Sequence, residues 1–364
     1  MKSTTRLLSL LLILAAVMLT RAQSMTETDL LTGITAENLS ALEPITRIEA
    51  DQAAVQSLSW SADGARLALG TPDRVLIYHT ATNTTYPLDY RASDVIFAPS
   101  DPNLLTIISQ EEEAPYAHIL ILIDITTGAE TVIEVEDAFV GAFGPDGSLF
   151  AVGSSVDLID RVVLFETDTW TEVAVLQLQR DQAAHAIAFS PDQKWLATRN
   201  QGGGGYLWDV QKALAQRTLS IDSALPLEHV AFGEALAFSP DGVLAVASDE
   251  STLLESDPQL SLSRVSERNN QPEVTSIFSG QRSTTAISEL NVIHDLAFTP
   301  NGDLLIAVTE DGQLQFWNAM AGDLLHTVQE TQTPILNVAV NPAGTLIATA
   351  QGNTITLWGV PPTE

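Results

Sequence analysis

The sequence contains no cysteine and has few basic or aromatic residues. Without cysteine there is no disulfide bond, thiol nucleophile or thiolate metal ligand, so buried apolar side chains have to stabilise the fold. Lysine and arginine together number 16, against 46 aspartate and glutamate residues, and the formal net charge is −30. Such a surface disfavours nucleic acid as a partner and favours cations or basic proteins. A simpler interpretation is that the acidity keeps the protein soluble.

One long apolar run stands at the N-terminus. It extends from Leu7 to Leu19 and follows Lys2 and Arg6. The run is shorter than the roughly 18 to 20 residues that a membrane-spanning helix needs. This order predicts a signal peptide over residues 1–22, cut after Ala22, with export to a periplasm, a cell surface or the medium and no membrane span after cleavage. An uncleaved N-terminal anchor is the alternative.

Linear motifs of catalysis and of metal binding are missing from the sequence. There is no Gly-x-Ser-x-Gly elbow, no His-Glu-x-x-His and no EF-hand loop. The six histidines are scattered, with no two at the spacing of metal ligands. The run from Gly202 to Gly205 lacks the Lys and Ser/Thr of a phosphate loop, so it is interpreted as a flexible connection. We therefore predict no enzyme activity, no catalytic residue, no cofactor and no metal site.

A five-residue pattern, aromatic-Ser-Pro-Asp-Gly, recurs seven times along the chain. The copies are WSADG from Trp60, FAPSD from Phe97, FGPDG from Phe143, FSPDQ from Phe189, FSPDG from Phe238, FTPNG from Phe298 and VNPAG from Val340. Their mean spacing of about 47 residues is close to the roughly 40 to 45 of a four-stranded propeller blade. Alternating apolar runs flank each copy, and Pro and Gly suit a tight turn between two strands. The pattern predicts an all-β, seven-bladed β-propeller of four-stranded antiparallel blades.

The repeats resemble the WD-repeat family over approximately residues 45–360, and the fourth carries the dipeptide that names the family, Trp208-Asp209. The resemblance implies structural hydrogen bonds between an acid in a turn and a histidine ahead of the first strand. The residues that match these roles are the acids Asp73 and Asp311 and the histidines His185 and His294.

The resemblance also implies a ring closed by overlap of the N- and C-terminal strands. The segment from Ile45 to Ile48 would then supply the fourth strand of the last blade. We therefore predict a signal peptide over 1–22, an extension over 23–44 with a short helix from Thr35 to Leu42, and a propeller over 45–364.

Function has to be sought in the lengthened connections. Blades two, three and five have long insertions between their second and third strands, at Gln110 to His118, Ser154 to Arg161 and Asp249 to Pro258, and a long connection from Ser279 to Asn291 follows blade five. By resemblance to the family, all four emerge on one face. The candidate partner-binding residues in these insertions are Glu111, Glu112, Glu113, Tyr116, His118, Asp157, Asp160, Asp249, Glu250, Glu255 and Asp257.

Three functional hypotheses follow from this acidic, partly aromatic face. The first is a non-catalytic scaffold outside the cytoplasm that binds a protein or peptide, with a basic segment favoured by charge. The second is a metal-assisted, lactonase-like hydrolase with carboxylates at the central channel, and the third is a calcium-dependent binder with a weak Ca²⁺ site. A simpler explanation competes with all three hypotheses: the sequences of loops vary freely, and these loops can be acidic simply because the whole protein is acidic.

Overall fold

The computed structural model describes residues 31–50, 53–110, 118–157, 159–201, 204–227, 235–247, 260–268, 271–280 and 292–362. The predicted signal peptide, residues 1–22, lies outside these ranges. Within them the chain is almost entirely β-structure, with one α-helix, α1 (Val210–Gln216), and 3₁₀ turns at Leu39–Ala41 and Ile221–Ser223. No helix of the described ranges combines the length and the apolar character that crossing a bilayer requires.

The described strands form seven sheets, one for each sequence repeat. The first strand of the chain, β1 (Glu43–Glu49), belongs to the last blade. Blade one consists of β2 (Ser57–Trp60), β3 (Arg66–Gly70), β4 (Val75–His79) and β5 (Thr84–Leu88). Blade two consists of β6 (Asp94–Phe97), β7 (Leu104–Gln110), β8 (His118–Asp124) and β9 (Ala129–Glu134). Blade three consists of β10 (Ala138–Phe143), β11 (Leu149–Val156), β12 (Ile159–Glu166) and β13 (Thr171–Gln177).

The remaining blades follow the same order from the inner to the outer strand. Blade four consists of β14 (Ala184–Phe189), β15 (Trp195–Asn200), β16 (Gly205–Asp209) and β18 (Leu225–Leu227). Blade five consists of β19 (Leu236–Phe238), β20 (Val243–Ala247), β21 (Leu260–Arg268) and β22 (Gln271–Gly280). Blade six consists of β23 (Ile293–Phe298), β24 (Leu304–Thr309), β25 (Gln313–Asn318) and β26 (Leu324–Gln329). Blade seven consists of β27 (Asn337–Val340), β28 (Leu346–Gln351), β29 (Thr354–Gly359) and β1.

The seven inner strands form a closed ring. Each contacts the inner strands of the two neighbouring blades, and β27 of the last blade contacts β2 of the first. The outer strand of blade seven is β1, which pairs antiparallel with β29 and places Ile48 opposite Ile355. The predicted seven-bladed propeller and its closure by the two chain ends are therefore confirmed.

Apolar side chains pack between adjacent blades. One cluster joins Val75 and Ile77 of blade one to Leu105 and Ile107 of blade two, all of them fully buried. The two sides of each sheet thus contribute to two different interfaces, because side chains alternate along a strand. Burial of this kind stabilises a chain that has no disulfide bond.

The repeated five-residue pattern forms the turn between the first and second strands of a blade. In blade one the Ser61 carbonyl accepts a hydrogen bond from Gly64 N at 2.8 Å, and Gly64 has a φ of 68°. This left-handed conformation explains the glycine at the end of the pattern. Blade four has Gln193 there with a φ of 56°, a conformation that is costly for a residue with a side chain.

The strands alternate in direction, so connections of one type lie at one end of the ring. We call the end with the connections from second to third strands and from blade to blade the loop face. The opposite end, with the repeated turns, is the turn face.

Blade four has an insertion on the turn face that was not predicted from the sequence. Between β16 and β18 the chain forms α1 and then β17 (Thr218–Ser220), which pairs in parallel with β13 of blade three. Asp209 caps α1, since its side chain accepts a hydrogen bond from Lys212 N at 2.8 Å. Blade three therefore has five strands, and the insertion joins blades three and four from the outside.

The extension before β1 differs from the prediction of a helix over residues 35–42. It forms a single 3₁₀ turn at Leu39–Ala41, and Thr35 donates its backbone N–H to Asn38 Oδ1 at 2.8 Å instead of capping a helix. Ile34 and Leu39 are buried against blades six and seven. Because Ile34 N donates to the Gly344 carbonyl at 2.8 Å, this extension packs on the turn face.

Candidate functional site

The β11–β12 hairpin of blade three lies on the loop face and carries two of the predicted partner-binding residues, Asp157 and Asp160. The insertion predicted from Ser154 to Arg161 is mostly strand, because pairing continues to Val156 and Ile159. Asp157 follows β11 with a φ of 51° and is exposed. Ile159 is 58% exposed although it is a large apolar residue. The hairpin thus presents an acid and an apolar side chain next to each other.

Asp160 has a different role from the one predicted for it. Its side chain accepts a hydrogen bond from Gln182 N at 2.7 Å, and its carbonyl accepts one from Leu178 N at 3.0 Å. It is only 5% exposed. Asp160 ties the hairpin to the connection that leads into blade four, so it is a structural acceptor and leaves the candidate partner-binding set.

Most of the other predicted residues of this face lie outside the described residues. His118 is the first residue of β8, opposite Gln110, but its side chain is outside the description. The predicted residues that lie wholly outside are Glu111, Glu112, Glu113, Tyr116, Asp249, Glu250, Glu255 and Asp257. Their role in partner binding stays a prediction, and so does that of the connection over residues 281–291.

Blades four and seven each contain a hydrogen bond from a tryptophan indole to a threonine, and in blade seven a glutamate extends it. In blade seven Trp358 Nε1 donates to Thr349 Oγ1 at 3.0 Å, and Thr349 donates to Glu330 Oε2 at 3.1 Å. Glu330 also accepts from Thr356. In blade four Trp208 Nε1 donates to Thr198 Oγ1 at 3.1 Å. Glu330 precedes the inner strand of blade seven, where the resemblance implies a histidine.

The four residues matched to the family's roles are placed as follows. His294 is on β23, and its Nε2 is 2.5 Å from Glu310 Oε2. Asp311 accepts from Thr309 Oγ1 at 2.5 Å and from Gln313 Nε2 at 2.8 Å. His185 is on β14, with its ring 6.3 Å from that of Phe139, and Asp73 is exposed in the turn between β3 and β4. The observed partner of His294 is thus Glu310, and the pairing of a turn acid with a histidine stays a prediction.

Two carboxylates stand at the inner edge of the ring, a site that sequence reasoning missed. Asp94 accepts hydrogen bonds from Ser57 Oγ at 2.6 Å, from Val95 N at 2.9 Å and from Gly141 N at 3.1 Å. It therefore joins blade two to blades one and three. Burial raises the pKa of Asp94 to about 6, although these three hydrogen bonds oppose the rise.

Asp295 is the equivalent residue of blade six. It accepts from Leu296 N at 2.8 Å and from Val338 N of blade seven at 2.9 Å. Burial raises its pKa to about 7, and the charge of Asp94 adds to the rise, so the two carboxylates interact through the ring. They can take up or release protons near neutral pH while they hold adjacent blades together.

The inner ring has a polar and an apolar half. The division is seen at one position of each blade, the residue that stands three positions before the start of the repeated pattern. The polar arc, on blades six, seven, one and two, consists of Asp295, Asn337, Ser57 and Asp94. The apolar arc, on blades three, four and five, consists of Val140, Ala186 and Ala235. In the described part of the chain no three His, Asp or Glu side chains are grouped so that they could hold a metal ion.

Two cavities border the insertion of blade four on the turn face. The larger, about 290 Å³, is lined by Asp146, Ser148, Leu149, Glu166, Asp168, Gln193, Gln211 and Leu214. The smaller, about 150 Å³, is lined by Trp195, Leu207, Asp209, Lys212, Ser223, Ala224, Leu225 and Pro272. The signal for this region was the helical sequence VQKALAQ after the capping residue Asp209.

The repeats can now be compared with known families. Residues 251–343 match the family model described as the anaphase-promoting complex subunit 4 WD40 domain. The match extends from blade five to blade seven of the ring described above. The chain is a WD-repeat β-propeller.

Relatives of this propeller share parts of it. It is 26% identical to protein hir-1 of Neurospora crassa over 181 residues, which are 47% of this chain and 17% of that protein. It is 25% identical to an uncharacterized WD repeat-containing protein of Synechocystis over 166 residues, 45% of this chain and 40% of the other. It is 39% identical to eukaryotic translation initiation factor 3 subunit I of Pyricularia oryzae over 64 residues, 17% of this chain and 19% of the other. The matched regions thus cover between 17% and 40% of the length of these relatives.

Proposed function

We propose that this WD-repeat propeller is a non-catalytic scaffold that binds a partner protein or peptide on its loop face, outside the cytoplasm. The observation that carries the proposal is the β11–β12 hairpin, which presents exposed Ile159 beside exposed Asp157. An exposed apolar side chain next to charge is typical of a contact surface. The match to a subunit of a complex, the anaphase-promoting complex, also supports a role in assembly.

The charge of the propeller favours a basic partner. With a net charge of −30, its field speeds the approach of positive surfaces and slows that of negative ones. Acidic residues at the rim of a contact would mainly raise the association rate, whereas apolar residues such as Ile159 would slow dissociation.

Mutation of the hairpin tests the scaffold proposal. The exported protein is immobilised, and proteins captured from an extract of the producing cell are quantified by mass spectrometry. We expect the double variant Asp157→Lys, Ile159→Asp to lose most of the specific capture. The matched control is Asp168→Lys, Met320→Asp, which makes the same change of charge at an exposed acid and an exposed apolar residue of the turn face and should capture normally. Equal capture by both variants would contradict binding at the loop face.

The location of the protein is tested separately. Export with cleavage after Ala22 predicts that the protein recovered outside the cytoplasm begins at Gln23. N-terminal sequencing of that fraction checks this result. A protein that keeps residues 1–22 would support the uncleaved anchor instead.

One observation bears on the metal-assisted hydrolase, the presence of two acids on the inner strands of the ring. The hydrolase hypothesis predicted acids near the axis that converge on one ion, and Asp94 and Asp295 are acids on two of the inner strands. Their oxygens, however, already accept hydrogen bonds from backbone N–H groups. The geometry therefore favours a structural role for both, and the scaffold remains the proposed function.

A further inference from the structure

The outer edges of the blades differ in how they are protected against pairing with another strand. The outer strands β1, β5, β18 and β22 each contain a proline, and these prolines are Pro44, Pro87, Pro226 and Pro272. Because proline has no backbone N–H group, it removes a hydrogen-bond donor from the edge and disfavours pairing with another strand. The edge of blade three is covered by β17. Of the outer strands in the described structure, β9 of blade two and β26 of blade six have neither protection.

The pairing of β17 shows how an edge of this propeller accepts an added strand. It lies parallel to β13, with Thr218 opposite Val175 and Ser220 opposite Gln177. Leu219 between them is 1% exposed and packs into the apolar cluster beneath. Three residues with one apolar side chain are thus enough to extend a blade outward when the chain holds them in place.

The open edge of blade two, β9, carries exposed acidic side chains and one exposed apolar side chain. In β9, Glu130, Val132 and Glu134 alternate and so share one side of the strand, and all three are exposed. Val132 is 53% exposed, which is unusual for a valine in a strand. The exposed acid Glu136 follows, and no basic residue occurs from Ala129 to Asp137. The edge therefore offers backbone pairing, one apolar contact and negative charge on both sides of it.

We propose that β9 is a strand-addition site for an extended segment of a partner protein with the pattern Lys/Arg-x-Val-x-Lys/Arg, in which the two basic side chains and the apolar one lie on the same side of the added strand. Main-chain pairing with the free edge gives affinity in this mode of recognition, and alternate side chains give specificity. A basic side chain would lie near Glu130 and Glu134, and an apolar one would cover Val132. A second copy of this chain is disfavoured as the occupant, because each copy has a charge of −30.

The edge of blade six provides the internal comparison. In β26 the exposed residues at the start are Leu324 and Leu325, at 48% and 40%, and the strand contains no acid. Within the strand itself this edge therefore lacks the alternating acids of β9, and its acids, Asp323 and Glu330, stand only before and after the strand. A peptide that recognises β9 by its charge and its pairing should distinguish the two edges.

The test measures binding of a fluorescent eight-residue peptide, Thr-Lys-Thr-Val-Thr-Lys-Thr-Thr, whose lysines and valine share one side of an extended strand. Binding is followed by anisotropy at about 150 mM salt, where the Debye length is about 8 Å. We expect saturable binding that weakens about tenfold in Val132→Lys and in the double variant Glu130→Gln, Glu134→Gln. The matched controls are Leu325→Lys on β26 and Glu166→Gln, Asp168→Asn on blade three, and these should stay within about twofold. A peptide with N-methyl groups at every residue keeps the charge but has no backbone N–H group left for pairing at either edge, and it should bind at least tenfold more weakly.

Three results would overturn the proposal. These are the absence of saturable binding, an equal loss in the β9 variants and their controls, and equal binding of the N-methylated peptide. The last two would indicate nonspecific attraction to an acidic protein. Both Val132 and Leu325 are exposed, so their lysine variants are expected to fold, as circular dichroism checks. Because Val132→Lys leaves the loop face unchanged, its normal capture in the scaffold assay separates failure of this proposal from failure of the proposed function.

Discussion

The polar and apolar arcs of the inner ring hold neighbouring blades together by different means. Along the polar arc a side chain accepts the backbone N–H of the next blade, as Asp295 does for Val338 and Asp94 does for Gly141. The residues of the apolar arc have no such acceptor. It is on this side that α1 and β17 join blades three and four from the outside. We call a side chain of the inner ring that accepts a backbone N–H group of the next blade an inner joint. Similar repeats can thus close a ring with inner joints on one side and with the insertion of blade four as an outer connection on the other.

Removal of an inner joint should have the largest effect. Asp94→Ala leaves Gly141 N without its acceptor, and Ser57 Oγ and Val95 N keep only the longer hydrogen bonds that they make with each other's residue. We expect a loss of about 2–4 kcal/mol in the free energy of unfolding. Val140→Ala on the apolar arc removes only part of a half-buried apolar side chain, for which about 1 kcal/mol is expected. Urea denaturation of both variants measures the difference. Equal losses would mean that the two arcs do not differ energetically.

The same carboxylates should make stability depend on pH. Their folded pKa values, about 6 and about 7, lie above the usual value near 3.9. Between about pH 4 and pH 7 the folded state therefore keeps protons that the unfolded state has released, so the free energy of unfolding falls as the pH rises.

The size of this pH effect is measured by comparison with the double variant Asp94→Asn, Asp295→Asn. Because water screens these partly exposed groups, the expected fall for the unmodified protein between about pH 5 and pH 7 is about 2 kcal/mol more than for the variant. Urea denaturation across this range gives both slopes. Parallel slopes would show that the inner carboxylates do not control the pH dependence.

The seven-bladed ring could be predicted because the five-residue pattern, which marks one blade, occurs seven times in the sequence. The inner joints could not, since Asp94 and Asp295 are two acids among 46 and their importance depends on N–H groups of neighbouring blades. A signal was present, however, because both stand three residues before the phenylalanine of a repeat.

The insertion of blade four and the role of Asp160 show a second limit of sequence reasoning. The parallel pairing of β17 joins residues more than forty positions apart, from a segment too short to show strand periodicity. Asp160 was predicted to contact a partner because it lies in a lengthened connection. Its burial follows from the extended β11–β12 pairing and from Gln182, a contact set by tertiary structure.

A smaller effect is expected at the one amide of the polar arc. Asn337 Oδ1 is buried without a hydrogen-bond partner, although the residue stands between Asp295 and Ser57 in the ring. Asn337→Ala therefore removes no inner joint, and we expect the free energy of unfolding to change by less than about 1 kcal/mol. Urea denaturation measures this value. A loss as large as that of Asp94→Ala would show that Asn337 is also a joint.

The smallest effect is expected from metal ions. Calcium takes six to eight oxygen ligands, whereas the oxygens of Asp94 and Asp295 are already directed at Ser57 and at backbone N–H groups. We therefore expect the same midpoint of thermal unfolding, within about 1 °C, in EDTA and in millimolar Ca²⁺ or Zn²⁺. A higher midpoint with one metal that disappears in the double variant Asp94→Asn, Asp295→Asn would place an ion in the polar arc and favour the hydrolase hypothesis. A rise that persists in that variant would instead direct the search to the predicted loop-face acids Glu111, Glu112 and Glu113, and so to the calcium-dependent binder.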